Sequence, residues 1–188
     1  ILVGVGLTGC SKSSDQPMAG QEGPGEGVLS VYVVNYPLGY FAERIGGEHV
    51  AVSFPAPPDE DPAFWMPEPE VIAAYQQADL VLLNGATYAK WVDKVSLPKS
   101  KLCDTSRSFT MECIPLEEAV THSHGPEGEH AHAVLASETW LDPKLAIAQA
   151  RNVKDELEKL VPDSAGSINA NCDALIADLQ SLDEEFKF

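Results

Sequence analysis

The sequence predicts an α/β fold with a mainly parallel, four-stranded sheet flanked by helices. Short β-branched or apolar runs alternate with helix-patterned segments from residue 28 to about residue 105, and that spacing means right-handed βαβ units. From Trp140 onward the hydrophobic period becomes helical, with two apolar stripes separated at Pro162. Together these describe a Rossmann-like lobe followed by long helices. With 188 residues, 44% of them hydrophobic, the chain can bury one good core or a core with an appendage, not two large lobes.

VLSVYVVNY (28–36) is the first strand, a β-branched and aromatic run. Pro37 opens a helix with Leu38, Phe41, Ala42 and Ile45 on one face, and Gly46 and Gly47 end it. Residues 49–54 form the second strand, with His49 at its start as a structural residue. The stretch SFPAPPDEDPAFWMPEPEVIAAYQQAD (53–79) organises what surrounds it: a strand runs into a proline-rich turn carrying acids and aromatics, then enters a helix near Pro69 with Ile72 and Tyr75 inward. A loop at the carboxyl end of a strand is where open α/β sheets hold ligands. DLVLLN (79–84) is nearly continuous apolar sequence, the mark of a strand buried on both faces, and Gly85 breaks it. Residues 88–95 read as a further helix and 102–105 as a fourth short strand.

Residues 113–137 hold no long apolar run and read by composition as a mobile loop. Asp142 and Pro143 then supply an N-cap and a first-turn proline for a helix whose stripe is Ala146, Ala150, Val153, Leu157 and Leu160. Ser164 can cap the last helix, with stripe Ile168, Cys172, Leu175, Ile176, Leu179, Leu182 and Phe186. No Gly, Pro or polar tail stops it before Phe188, so the chain is expected to end inside an element.

The net charge of -17 excludes non-specific attraction to nucleic acid or to an anionic membrane surface. It suits plain solubility, or a protein that handles cations. ILVGVGLTGC reads as the end of an apolar signal segment closing on Leu7-Thr8-Gly9-Cys10, which resembles the bacterial lipobox, whose cysteine takes a diacylglycerol. Residues 1–10 are then a signal remnant whose beginning is cut off, and residues 11–27 a polar Gly/Ser-rich tether. The competing reading is a buried segment with a chance cysteine. Of the other cysteines, Cys103, Cys113 and Cys172, two can pair in an oxidising compartment, with Cys103 to Cys113 the most local choice and the connectivity left open. No Ser-His-Asp order, nucleophile elbow, P-loop or dinucleotide fingerprint of the domain is present, so the chain is not expected to be an enzyme.

The ordered motifs VVNYPLGYFAERIGGEHV, PAPPDEDPAFWMPEPEVIAAYQQADLVLLNGATYAKWVDKV, a His-rich loop and ETWLDPKLA with a long helix resemble the ZnuA/TroA-like group, the metal-binding (zinc or manganese) solute-binding lipoproteins of bacterial ABC importers. The resemblance runs from about Val31 to the chain end. It implies two α/β lobes joined by a long rigid helix with a metal between them. Residues 28–160 would be the amino-terminal lobe, with a His-rich loop at 121–132, and 161–188 the connecting helix, cut before a second lobe. It also implies zinc or manganese as transported solute, an ABC permease as partner and a lipid-anchored place in the periplasm or at the cell surface.

In that family the loop after the second strand normally reads Asp-Pro-His, where this chain has Asp61-Pro62-Ala63, and a methyl group coordinates nothing. The second family histidine precedes the Trp-Leu-Asp-Pro turn, and Glu138 stands there. A carboxylate binds zinc or manganese, and manganese accepts oxygen ligands readily. Phe64, Trp65 and Met66 replace the usual polar residues. Either they retune the pocket toward a different cation, a metal complex or an organic solute, or they are packing residues beside a decayed site. His122, His124, His130 and His132 cluster with Glu127 and Glu129, and neutral imidazoles are good zinc, copper or nickel ligands. The alternative is a solvated loop of no function. The leading expectation is a metal-importing solute-binding protein with metal contacts at Glu138, His122, His124, His130 and His132 and lipidation at Cys10. The alternatives are an adhesin-like interaction lipoprotein and a binder of another solute.

Overall fold

A computed structural model describes residues 27–123 and 129–186, the side chains of 115–134 excepted. Residues 1–10, nearly all of 11–27, Cys10 and His124 lie outside the described residues. Four parallel strands form the sheet in the order β2-β1-β3-β4, with β1 at Leu29–Val33, β2 at Val50–Ser53, β3 at Leu80–Leu83 and β4 at Leu102–Asp104. Val31 lies opposite Val52 on one side and Leu80 on the other. The central strands are covered on both faces, and Val31, Val33, Leu80, Val81 and Leu82 are all buried. That two-sided burial is why DLVLLN carries no polar alternation.

Asn35 caps α1 (Tyr36–Gly46) by accepting from the Leu38 N–H at 3.0 Å. This helix lies on the sheet face of Val33 and Val52, with α3 (Pro143–Leu160) and α4 (Ala165–Glu185) packed against it. The opposite face is covered by α2 (Pro69–Gln77), whose Tyr75 meets Tyr32 of β1 edge-on with ring centroids 5.0 Å apart and donates to the Val33 carbonyl at 2.8 Å. Asp142 caps α3 as expected, accepting from the Lys144 N–H. On the stripe read for α3, Leu160 is exposed; on that of α4, Ile168, Cys172 and Leu175 are buried but Leu182 and Phe186 are exposed. Ser164 stands at the α4 cap without a side-chain bond to the helix; its hydroxyl and that of Ser167 lie 3.4 Å from the two ring nitrogens of His49.

Three expectations need correction. Residues 88–95 are not an α-helix: Gly85, Ala86, Thr87 and Ala89 have left-handed φ of 71°, 47°, 62° and 51°, and only a short 3-10 turn follows at Val92–Lys94. Trp91 is the cause, since it buries against Tyr75 at 4.9 Å between ring centroids and draws the chain inward. Residues 113–137 are not simply loop. Pro115–Ser123 (β5) and Glu129–Leu135 (β6) pair antiparallel in a ribbon of their own, with His122 opposite His130 and Val120 opposite His132. Backbone self-pairing needs no apolar run, so composition did not reveal it. Cys103, Cys113 and Cys172 are buried and free, so the pairing of Cys103 with Cys113 is not made.

Candidate functional site

The strand order reverses between β1 and β3, and chains that leave a sheet in opposite directions open a crevice at that point. Polar side chains stand at the carboxyl ends of three strands there. Asn35 follows β1, Asn84 follows β3 and Thr105 follows β4, while Gln149 reaches in from α3; all four are 1% exposed or less. Asn35 Nδ2 donates to Asn84 Oδ1 at 3.1 Å across the crevice. Asn84 Oδ1 also accepts from Gln149 Nε2 at 3.2 Å, and Gln149 Nε2 donates to Thr105 Oγ1 at 2.9 Å. Thr105 Oγ1 donates in turn to the Leu83 carbonyl at 2.9 Å. Buried amides persist only when satisfied in this way, yet Gln149 Oε1 has no hydrogen-bond partner among the described residues.

The same network holds one wall of the crevice. Asn84 Nδ2 donates to the Ser137 carbonyl at 2.8 Å, and Thr139 Oγ1 lies 3.5 Å from Asn84 Oδ1. Glu138, between them, is exposed, and its Oε1 accepts from Ser137 Oγ at 3.1 Å. Beside it a cavity of about 390 Å³ is lined by Cys113, Ile114, Leu141 and Leu145 together with the acids Glu112, Glu138 and Asp142.

The other wall is the loop after β2. Asp61 closes a tight turn on itself: its Oδ1 accepts from Ala63 N–H at 2.9 Å and its carbonyl from Phe64 and Trp65 N–H at 3.0 and 2.9 Å. Ala63 is buried, Trp65 half-buried, and Phe64 and Met66 are exposed, so the last two are not core residues. Phe64 instead carries the Lys90 ammonium 4.8 Å from its ring centre.

Tyr88 stands between the walls on the left-handed turn and meets Trp140 edge-on at 5.5 Å. Its phenol is pushed up to about 12, first by burial and then by the charges of Asp61 and Glu138. Both carboxylates therefore act on one point, and the phenol remains a proton donor at neutral pH. No cluster of three His, Cys, Asp or Glu side chains able to hold a metal occurs among the described residues. The ribbon register sets His122 against His130, with His132 two residues further along β6.

Sequence reading missed Asn35, Asn84, Thr105, Gln149 and Tyr88. A signal existed for two of them: Asn84 precedes a glycine at the end of an unbroken apolar strand, and Gln149 interrupts the Ala146, Ala150, Val153 stripe with a polar group.

Residues 31–187 match the family described as zinc-uptake complex component A, periplasmic. The chain belongs to this family. The manganese-binding lipoprotein MntA of Halalkalibacterium halodurans is 26% identical over 184 residues, covering 98% of this chain and 56% of that protein. The zinc-binding lipoprotein AdcA of Streptococcus pneumoniae is 28% identical over 165 residues, covering 86% of this chain and 32% of that protein. A crystal structure of ZnuA superposes with a TM-score of 0.67 at 32% identity, over 84% of this chain and 58% of that one. The chain thus spans about half the length, or less, of the zinc-uptake component A relatives it matches. Their sheet-and-helix lobe is the fold described above, including the long carboxyl-terminal helix.

Proposed function

We propose that this chain is the amino-terminal lobe and connecting helix of a metal solute-binding lipoprotein of an ABC importer. It captures zinc or manganese outside the cytoplasmic membrane and hands the cation to a permease, with no covalent step. The observation that carries this reading is the family match over residues 31–187, which includes both walls of the crevice. Glu138 supplies an oxygen ligand from the tied wall, and the remaining ligands come from outside the stretch described here. His122, His124, His130 and His132 on and around the β5–β6 ribbon gather cations, and the acidic surface concentrates them. Cys10 carries the lipid, which places the protein in the periplasm or at the cell surface, anchored to a membrane.

A second reading is favoured by Ala63 at the ligand position and by exposed Phe64 and Met66: an adhesin-like surface lipoprotein, or a binder of another solute. Titration calorimetry of the full-length protein with Mn(II) and Zn(II) separates the two. The import reading expects one site per chain that Glu138→Ala weakens by about tenfold or more, as loss of a ligand does. Unchanged affinity in Glu138→Ala removes that residue from the site. Absence of binding to either cation leaves the second reading.

A further inference from the structure

An exposed glutamate on an irregular segment is a poor ligand unless its backbone is fixed, because ordering it on binding costs conformational entropy. Glu138 has φ -81° and ψ 50°, outside helix and strand, and its backbone is held, among the described residues, only through its carbonyl, which accepts from the Leu141 N–H at 3.1 Å at the start of the short 3-10 turn Thr139–Leu141. One side chain reaches the residues on both sides of it. Asn84 donates through Nδ2 to the Ser137 carbonyl at 2.8 Å and accepts from Thr139 Oγ1 at 3.5 Å, and Ser137 Oγ donates to the Glu138 carboxylate at 3.1 Å.

The orientation of Asn84 is itself dictated. Asn35 Nδ2 and Gln149 Nε2 both donate to its Oδ1, so exchanging its oxygen and nitrogen would set donors against an NH₂ group and oppose two carbonyl-type oxygens at Ser137. Gln149 keeps this orientation although it leaves its own Oε1 buried without a partner. Behind Asn84, a methyl on Gly85 would strike Ser106 Oγ and Asp104 Oδ1, so the backbone at the end of β3 lies close against the residues that follow β4. The oxygen of the amide is anchored by Asn35 and Gln149 and also receives the Thr139 hydroxyl, while the nitrogen holds the Ser137 carbonyl, so both ends reach the 137–139 segment.

We propose that Asn84 is the positioning residue of the site: its amide, locked by Asn35 and Gln149, holds the Ser137 carbonyl on one side of Glu138 and the Thr139 hydroxyl on the other, and so fixes where that carboxylate meets a divalent cation. This rests on Glu138 being a cation ligand, as proposed above.

The test uses full-length protein and two readouts: Mn(II) affinity by calorimetry, and ¹⁵N relaxation of the 137–139 amides without metal. Asn84→Ala, Thr139→Val and the conservative Thr139→Ser are each made alone and together with Glu138→Ala. Asn84→Ala is expected to weaken Mn(II) binding about tenfold, in line with the loss of a group that orients a ligand. Thr139→Val weakens it less, and Thr139→Ser restores it. None of these changes alters affinity in the Glu138→Ala background, and the 137–139 amides lose order in Asn84→Ala and Thr139→Val. Equal losses with and without Glu138 overturn the proposal, because Asn84 would then act on the fold as a whole. Unchanged order at 137–139 overturns it whether or not metal binds. If the wild-type protein binds neither Mn(II) nor Zn(II), the import reading falls, while the relaxation data still decide whether Asn84 holds Glu138. If Asn84→Ala does not fold, the threonine pair carries both readouts.

Discussion

The segment carrying Glu138 and the turn carrying Ala63 stand on either side of Tyr88, but they are built in different ways. Side chains from β1, β3 and α3 tie the first to the sheet through Asn84, whereas the second is closed by Asp61 alone, using backbone donors two to four residues away. Asp61 Oδ1 accepts from the backbone N–H of residue 63, whose side chain takes no part in the bond. A turn of that kind closes on backbone groups, so its hydrogen bonds do not depend on the side chain at position 63. On the tied wall, residue identity and backbone position are coupled through the Asn84 amide.

The comparison can be broken most forcefully at Gly85. A methyl there meets Asp104 and Ser106 on a φ of 71°, so Gly85→Ala should destabilise the protein by about 2–4 kcal/mol in urea unfolding. A loss below about 1 kcal/mol would mean that the end of β3 is free to shift and that the wall is not fixed. Restoring the missing imidazole tests the other side. Ala63→His, at a buried position, should cost about 1–2 kcal/mol of stability and tighten Zn(II) binding to the full-length protein by about tenfold, or 1.4 kcal/mol, in a competition titration. No gain would show that position 63 does not reach the crevice.

Tyr88 reports on both walls through pH. Its phenol titrates near 10 when unfolded and about 12 in the fold, so its contribution is complete below pH 10 and is lost as pH rises toward 12. Cys103, lifted by burial from 9 to about 12, adds a loss of the same sign that begins about one pH unit lower. Urea midpoints should therefore fall between pH 9 and 12, and Tyr88→Phe should flatten the curve above pH 10; an unaltered curve would mean that the phenol is not held neutral. The smallest effect is expected at Phe64, which is 70% exposed under Lys90. Phe64→Ala should cost about 0.5 kcal/mol in thermal unfolding. A much larger cost would make the residue part of the packing.

What the sequence disclosed follows the range of the forces involved. β3 was legible because burial on both faces writes itself into consecutive residues, and the start of α3 because Asp142 and Pro143 act within one turn. Residues 88–95 were misread because the burial of Trp91 against Tyr75, sixteen positions earlier, overrides local helix preference. Asn84 could be noticed as the polar residue closing an apolar strand, but not its role, because Asn35, Ser137, Thr139 and Gln149 lie 49, 53, 55 and 65 residues away. The pairing of β5 with β6 depends on backbone groups that every sequence has.

The three free cysteines carry a consequence of their own. Disulfide exchange runs through the thiolate, and a thiol lifted to about 12 leaves only about one in 10⁵ molecules ionised at pH 7. In an oxidising space Cys103 is thus guarded by its burial, and reaction with a disulfide has to wait until the surrounding structure opens. Its rate of capture is then a clock for breathing of the β4 edge.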